Sequence, residues 1–226
     1  MAPKTFCLLG GTGPAGLIFL EKAVANGHHV RVFARNPSKI PDKWQDHDQV
    51  SIIEGYLWDE DLLSTAIKGS DAVISVLGPS GLRIAPDTLV TPYKLIINLM
   101  REHGVKRIFV MGTLSITDPK DKPSFLVRAM VFFIWLFGRP TWTEIINIGK
   151  TFDEEAKDLD WTIYRLGLVT NGPDGEAATT YVGESDFVSF VYRNELAGWL
   201  LDQAEKTEPE FVHEKPAVCS AGKKKV

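Results

Sequence analysis

The sequence predicts an α/β domain built on a doubly wound parallel sheet, with a small irregular C-terminal region. Three observations lead there. Strand-like apolar runs alternate with helix-spaced runs through the first half, and a glycine-rich turn joins the first run to the second. A chain of 226 residues, 44% of them hydrophobic, also suits one domain with a sizeable core.

The continuous apolar run over 5–10 reads as a buried strand, and Leu17, Leu20 and Val24 recur at helical spacing over 14–26, where Gly27 supplies a stop. Strands follow over 29–34 and 50–53, then a helix over 60–68 and a fourth strand over 72–77. Helical spacing over 89–103 leads through Gly104 to a fifth strand over 107–111. Such alternation means parallel strands, because each right-handed crossover uses a helix to return the chain. The second half is less regular: a polar loop over 117–123, an apolar segment over 129–137, a helix near 142–157, a strand over 161–165 and a last helix over 194–205. No repeat or linker divides residues 1–226, which read as a single domain.

A net charge of -4 and a pI near 5.8 give no global pull toward nucleic acid or an anionic membrane, so a small molecule is the expected partner. Cys7 lies in an apolar run and Cys219 in a polar tail, which argues for reduced thiols and a cytoplasmic location. The first residues lack the apolar stretch and cleavage site of a secretory signal. The segment over 129–137, flanked by Arg128 and Arg139, is about half the roughly twenty residues that span a bilayer, so no membrane span is expected. The terminal Lys223-Lys224-Lys225 resembles a dilysine retrieval signal and reads more simply as a solvated charged end. The five histidines show no metal-ligand spacing with cysteines, so no metal is expected.

Gly10-Gly11-Thr12-Gly13-Pro14-Ala15-Gly16 lies where the first strand feeds the first helix. Glycines there permit a tight turn and close approach of the backbone, and the helix N-terminus offers free N–H groups to a pyrophosphate. Pro14 suits the first helical turn, where a missing N–H costs nothing. The pattern points to a Rossmann-type dinucleotide site. At the end of the second strand, where an acidic residue would take a ribose 2′-hydroxyl, stands Arg35, with Lys39 four residues on. Two cations there favour a 2′-phosphate, and so NADPH, over NADH; the competing reading is a pair of solvated surface cations.

The blocks GGTGPAG, FARNPSK, VSIIEGYLWDEDLLSTAIKGSDAVISVLGP, VKRIFVMGT, LDWTIYRLG and YRNELAGWLL occur in this order. Together they resemble the atypical short-chain dehydrogenases, in the NmrA-like and flavin/biliverdin-reductase-like branch, over nearly the whole chain. The resemblance implies that Thr12, Gly13, Pro14 and Ala15 hold the pyrophosphate and that Arg35 and Lys39 hold the 2′-phosphate. It sets Tyr56 and Leu57 at the adenine edge and Val76, Leu77 and Gly78 on the ribose side. Gly167 and Leu168, in the run 166–169, would border the nicotinamide, although by chemistry alone that run is as readily a plain strand exit.

Carbonyl-reducing short-chain dehydrogenases commonly carry Tyr-x-x-x-Lys on one helix face, the lysine lowering the tyrosine pKa. Here Lys150 follows Ile146 at that spacing. Three readings remain open. One is a reductase in which cofactor positioning carries most of the barrier reduction, with Thr113 or Ser115 orienting substrate and Lys150 the nicotinamide ribose; both hydroxyls also serve as turn or cap residues. A second is a non-catalytic NADP sensor of the NmrA kind. A third is a redox-neutral isomerase, cyclase or dehydratase on the same scaffold, with Glu144 and Asp153 as acid or base, although both read first as solvated helix charges.

Phe125, Phe132, Phe133, Trp135, Phe137 and Trp142 cluster in an aromatic-rich insert over 117–142. It suits a pocket for a bulky apolar or aromatic substrate, and equally a core helix or dimer face. The expectation is an NADP-dependent reductase of a hydrophobic cyclic or aromatic small molecule (a ketone, quinone or flavin-like compound), monomeric or homodimeric.

Overall fold

The computed structural model describes residues 2–79, 81 and 84–222; the terminal lysines 223–225 lie outside them. The central strand β1 (Thr5–Leu9) is flanked by β2 (His29–Ala34) and β4 (Ala72–Ser75), with β3 (Val50–Glu54) beyond β2 and β5 (Arg107–Thr113) and β6 (Asp160–Leu166) beyond β4. All these neighbours pair in parallel. The helices α1 (Pro14–Ala25), α2 (Glu60–Ile67), α3 (Val90–Glu102), α4 (Phe125–Phe137) and α5 (Arg139–Glu155) lie between them in the chain. The order β3-β2-β1-β4-β5-β6 reverses direction at β1, the feature that opens a crevice at the carboxyl ends of β1 and β4.

Alternation along β1 explains why its run is wholly apolar. Phe6 and Leu8 point into a core with Phe19 and Leu20 of α1 and Leu196 and Leu200 of α6 (Arg193–Glu205). Cys7 and Leu9 point the other way, among Leu63, Tyr93, Ile96, Ile148 and Phe152. A strand buried on both faces has no solvent side to mark with polar residues.

The second half is more regular than its sequence suggests. β7 (Leu168–Thr170) and β9 (Phe190–Tyr192) form a small parallel pair, and β8 (Ala177–Thr180) and β10 (Ala217–Ser220) extend the main sheet beyond β6. β8 runs antiparallel to β10, whereas β10 is parallel to β6. Cys219 is therefore no tail residue: it is 1% exposed in β10. Its strand is four residues long and borders a charged end, so only pairing with β6 and β8 reveals it. Boundaries shift elsewhere: β4 stops at Ser75 instead of running to residue 77, β5 continues through Thr113, and α5 begins at Arg139.

Candidate functional site

The glycine turn is set by backbone crowding. Gly10 has φ +85°, in the left-handed region, and a Cβ there would meet the Val76 carbonyl oxygen at 3.0 Å. At Gly16 a Cβ would lie 2.5 Å from the Gly10 carbonyl oxygen and 2.7 Å from Gly11 Cα, so the first turn of α1 rests directly on the loop. Gly13 is the N-cap of α1, Pro14 follows it, and no side chain caps the helix. The Gly13 N–H is taken by Gly10 and the Leu17 N–H by Gly13, while Ala15 and Gly16 keep the outward N–H groups of an uncapped first turn without acidic residues. Thr12 and Ala15 are half-buried beside them and Pro14 is exposed. This donor set, with its bare glycine backbone, fits a pyrophosphate.

The neighbouring strand exits complete one rim. Arg35 immediately follows β2 and Lys39 ends a short 3-10 turn, Pro37–Lys39; both are exposed, and neither has a carboxylate partner among the described residues. Tyr56 and Leu57 follow β3. Tyr56 stacks on Trp58 with ring centroids 4.8 Å apart and planes 8° apart, and both rings are half or more exposed. Trp58 completes this aromatic ledge, and its spacing of two from Tyr56 is the only sign of it in the sequence. Val76 and Leu77 are half-buried and Gly78 exposed just beyond β4.

On the other side, at the carboxyl end of β5, opens a cleft of about 510 Å³. Leu114 and Ser115 line it, with the loop through Asp118, Asp121 and Pro123, with Val127, Arg128, Val131, Phe132 and Trp135 of α4, and with Trp142 of α5. Ser115 is 6% exposed, and its Oγ has no hydrogen-bond partner; the Trp142 Nε1–H is buried and equally unpartnered. Both residues line the cleft, and a buried donor without a partner is costly unless an acceptor reaches it. Thr113, the last residue of β5, is half-buried, and its Oγ1 accepts from the Ser115 backbone N–H at 3.2 Å, which sets the turn. Sequence places Trp142 in the aromatic-rich insert, whereas burial of its N–H is a tertiary fact.

The loop that lines the cleft is held by an ion pair. Arg165 on β6, wholly buried, donates to both oxygens of Asp121 at 2.6 and 2.7 Å and to the Ile116 carbonyl at 2.9 Å. Asp121 also accepts from the backbone of Asp118 and Val182. Burial acts to raise the Asp121 pKa, but the guanidinium and the two N–H donors together outweigh it and hold the carboxyl below its ordinary value.

The remaining candidates separate. Lys150 on α5 is exposed, and its side chain makes no hydrogen bond or ion pair among the described residues. Ile146, one turn before it, packs against the core shared with Leu9 and Phe152. Gly167 has a reason within the chain for lacking a side chain, since a Cβ would meet the Ser189 carbonyl oxygen at 2.2 Å; Leu168 beside it is 63% exposed. Asp153 is exposed and pairs with Lys215. Glu144, expected in solvent, is 3% exposed and accepts from the backbone N–H groups of Asp87, Leu89 and Val90. It caps α3 from α5, a role invisible in sequence because its partners lie more than fifty residues away. Tyr181 adjoins the cleft wall but donates its proton to Glu214 at 2.5 Å; burial, then that bond, pushes its pKa up to about 12.

Residues 10–207 match the NAD(P)H-binding family. The oxidoreductase AgnL4 of Paecilomyces divaricatus is 28% identical over 92% of this chain and 82% of its own length. Eugenol synthase 2 of Clarkia breweri is 30% identical over 55% of this chain, which spans less than half of that longer protein (42%). A short-chain dehydrogenase/reductase of Veillonella parvula, solved in complex with NADP, superposes with a TM-score of 0.74 at 17% identity, covering 98% of this chain and 96% of that one. The glycine turn, the strand order and the match over residues 10–207 agree: the chain belongs to the NAD(P)H-binding family, on a Rossmann-type frame.

Proposed function

We propose that this protein is an NADPH-dependent reductase of a hydrophobic, ring-containing small molecule with a ketone, quinone or flavin-like acceptor. The observation that carries the reading is the buried, unpartnered hydroxyl of Ser115, a residue that lines a largely apolar cleft at the carboxyl end of β5. In an open α/β sheet that edge is where ligands bind. NADPH, when bound, supplies a hydride. The uncapped N-terminus of α1 and the Gly10–Gly16 backbone hold its pyrophosphate, with Gly11, Thr12 and Ala15 along the turn. Arg35 and Lys39 take the 2′-phosphate, and the Tyr56–Trp58 ledge meets the adenine. Ser115 Oγ–H and Trp142 Nε1–H donate to the acceptor oxygen of the substrate, stabilising the negative charge that develops there, and the proton that completes the reduced product comes from solvent as that product leaves. Phe132, Trp135 and Val131 exclude water around it.

This division of labour assigns no side-chain acid of the Tyr-x-x-x-Lys kind, since Ile146 packs into the core and Lys150 stands free. The test begins with titration of NADPH and NADH by tryptophan fluorescence, for which the exposed Trp58 is placed to report. Absorbance of the reduced nicotinamide is then followed on adding quinones, flavins and aromatic ketones. Tight NADPH binding and oxidation by one of these classes is expected, and Ser115→Ala should lower kcat by about a hundredfold. Tight binding with no oxidation across the panel would replace this reading by that of a cofactor sensor.

A further inference from the structure

Seven of the twelve large hydrophobic side chains that are exposed among the described residues lie on one helix, α4: Phe125, Leu126, Phe132, Phe133, Trp135, Leu136 and Phe137. Only Val127 of that helix is buried. At about 100° per residue, Phe125, Leu126, Phe132, Phe133, Leu136 and Phe137 share an arc of about 140°; Phe132, with Arg128 beside it, sits at the edge where this arc meets the Val127, Val131 and Trp135 side that lines the cleft, and the rest of the arc points away from it. A contiguous apolar face of this kind marks an interaction surface. The charge around it identifies the partner. Residues 122–143 contain Lys122, Arg128 and Arg139 and no acidic residue, in a chain whose net charge is -4. Lys122 is neutralised by Glu184 at 2.9 Å, whereas Arg128 and Arg139, toward the two ends of the helix, have no carboxylate partner among the described residues.

We infer that α4 is an interfacial anchor that docks the protein on an anionic lipid surface, its apolar arc immersed and Arg128 and Arg139 reaching the headgroups. Thirteen helical residues extend about 20 Å, too short for a hydrocarbon core of about 30 Å. α5 cannot continue the path, because it turns away by 117° and buries Ile145, Ile148 and Phe152 in the core of the domain. The helix must therefore lie in the plane of the interface. A second copy of the chain is the poorer fit: a two-fold contact through α4 would bring cationic rims together with no acid in the segment to meet them. Because Phe132 and Trp135 also border the cleft, docking sets its mouth against the membrane, where hydrophobic substrates concentrate.

The full chain should co-float with phosphatidylcholine vesicles containing phosphatidylglycerol, and much less with phosphatidylcholine alone. Phe133→Ser with Phe137→Ser, neither of which lines the cleft, should lower vesicle partitioning at least about tenfold while leaving the melting temperature unchanged. Arg128→Glu with Arg139→Glu should remove the preference for anionic vesicles. Sedimentation velocity on the unmodified protein supplies the opposing outcome. No flotation, flotation indifferent to both variants, or a dimer that dissociates in the Phe133→Ser, Phe137→Ser variant would overturn the inference.

Discussion

Replacing Asp121 by Asn keeps the size of the side chain and removes the negative charge facing Arg165, whose own side chain is 0% exposed. A buried guanidinium left without its counter-charge costs about 3–5 kcal/mol, far more than the pair contributes relative to apolar residues, because the desolvation of Arg165 is no longer offset. With an unfolding entropy of about 2.1 cal/mol/K per residue, the loss corresponds to a fall in Tm of about 6–11 °C. The effect has a pH signature. The Asp121 carboxyl titrates below its ordinary value in the folded state, so its stabilisation is fully present above the unfolded pKa and is lost as pH falls through the folded one. The Tm gap between native protein and Asp121→Asn should therefore be full at neutral pH and narrow under acid conditions. Calorimetric melts at both pH values measure it, and Asp121→Asn combined with Arg165→Met should recover part of the loss. A neutral-pH drop of less than about 2 °C, or a gap that widens in acid, would refute the view that this ion pair holds the loop that lines the cleft.

Four further outcomes follow from the same geometry. Gly16→Ala drives a Cβ into the backbone of Gly10 and Gly11, so calorimetry should show a loss of about 1–3 kcal/mol and fluorescence titration a weaker NADPH complex. Arg35→Asp should weaken NADPH far more than NADH in parallel titrations; an equal effect on both would remove the 2′-phosphate role. Glu144→Gln should cost about 1–3 kcal/mol and speed amide hydrogen exchange at Leu89 and Val90, which lose a charged acceptor. Lys150→Met should depress turnover if this lysine orients the nicotinamide ribose, and unchanged steady-state kinetics would reduce it to a surface charge.

The first half of the fold was legible because its signals are local. β1, α1 and β2 are each declared by contiguous periodicity, and the turn between the first two by glycines whose backbone admits no side chain, as at Gly10 and Gly16. Arg35 could be singled out for the same reason: its place at the end of a strand follows from counting along the chain. The short strands β7 to β10 could not be read in this way, since three or four residues carry no period and depend on partners far away in sequence. Cys219 looked like a tail residue until β6 and β8 closed over it.

For the site, the sequence by itself located the glycine turn between β1 and α1 and the cations Arg35 and Lys39 beyond β2. Tertiary structure alone decided which polar groups are left without a partner and which are spent. Ser115 and Trp142 are left with idle donors, whereas Glu144 is consumed in capping α3 and Tyr181 in bonding Glu214. It alone also decided that the apolar run of α4 faces outward instead of filling the core. The physical reason is common to all of these: hydrophobicity and hydrogen-bonding capacity belong to the residue, but burial and partnership belong to the packing around it.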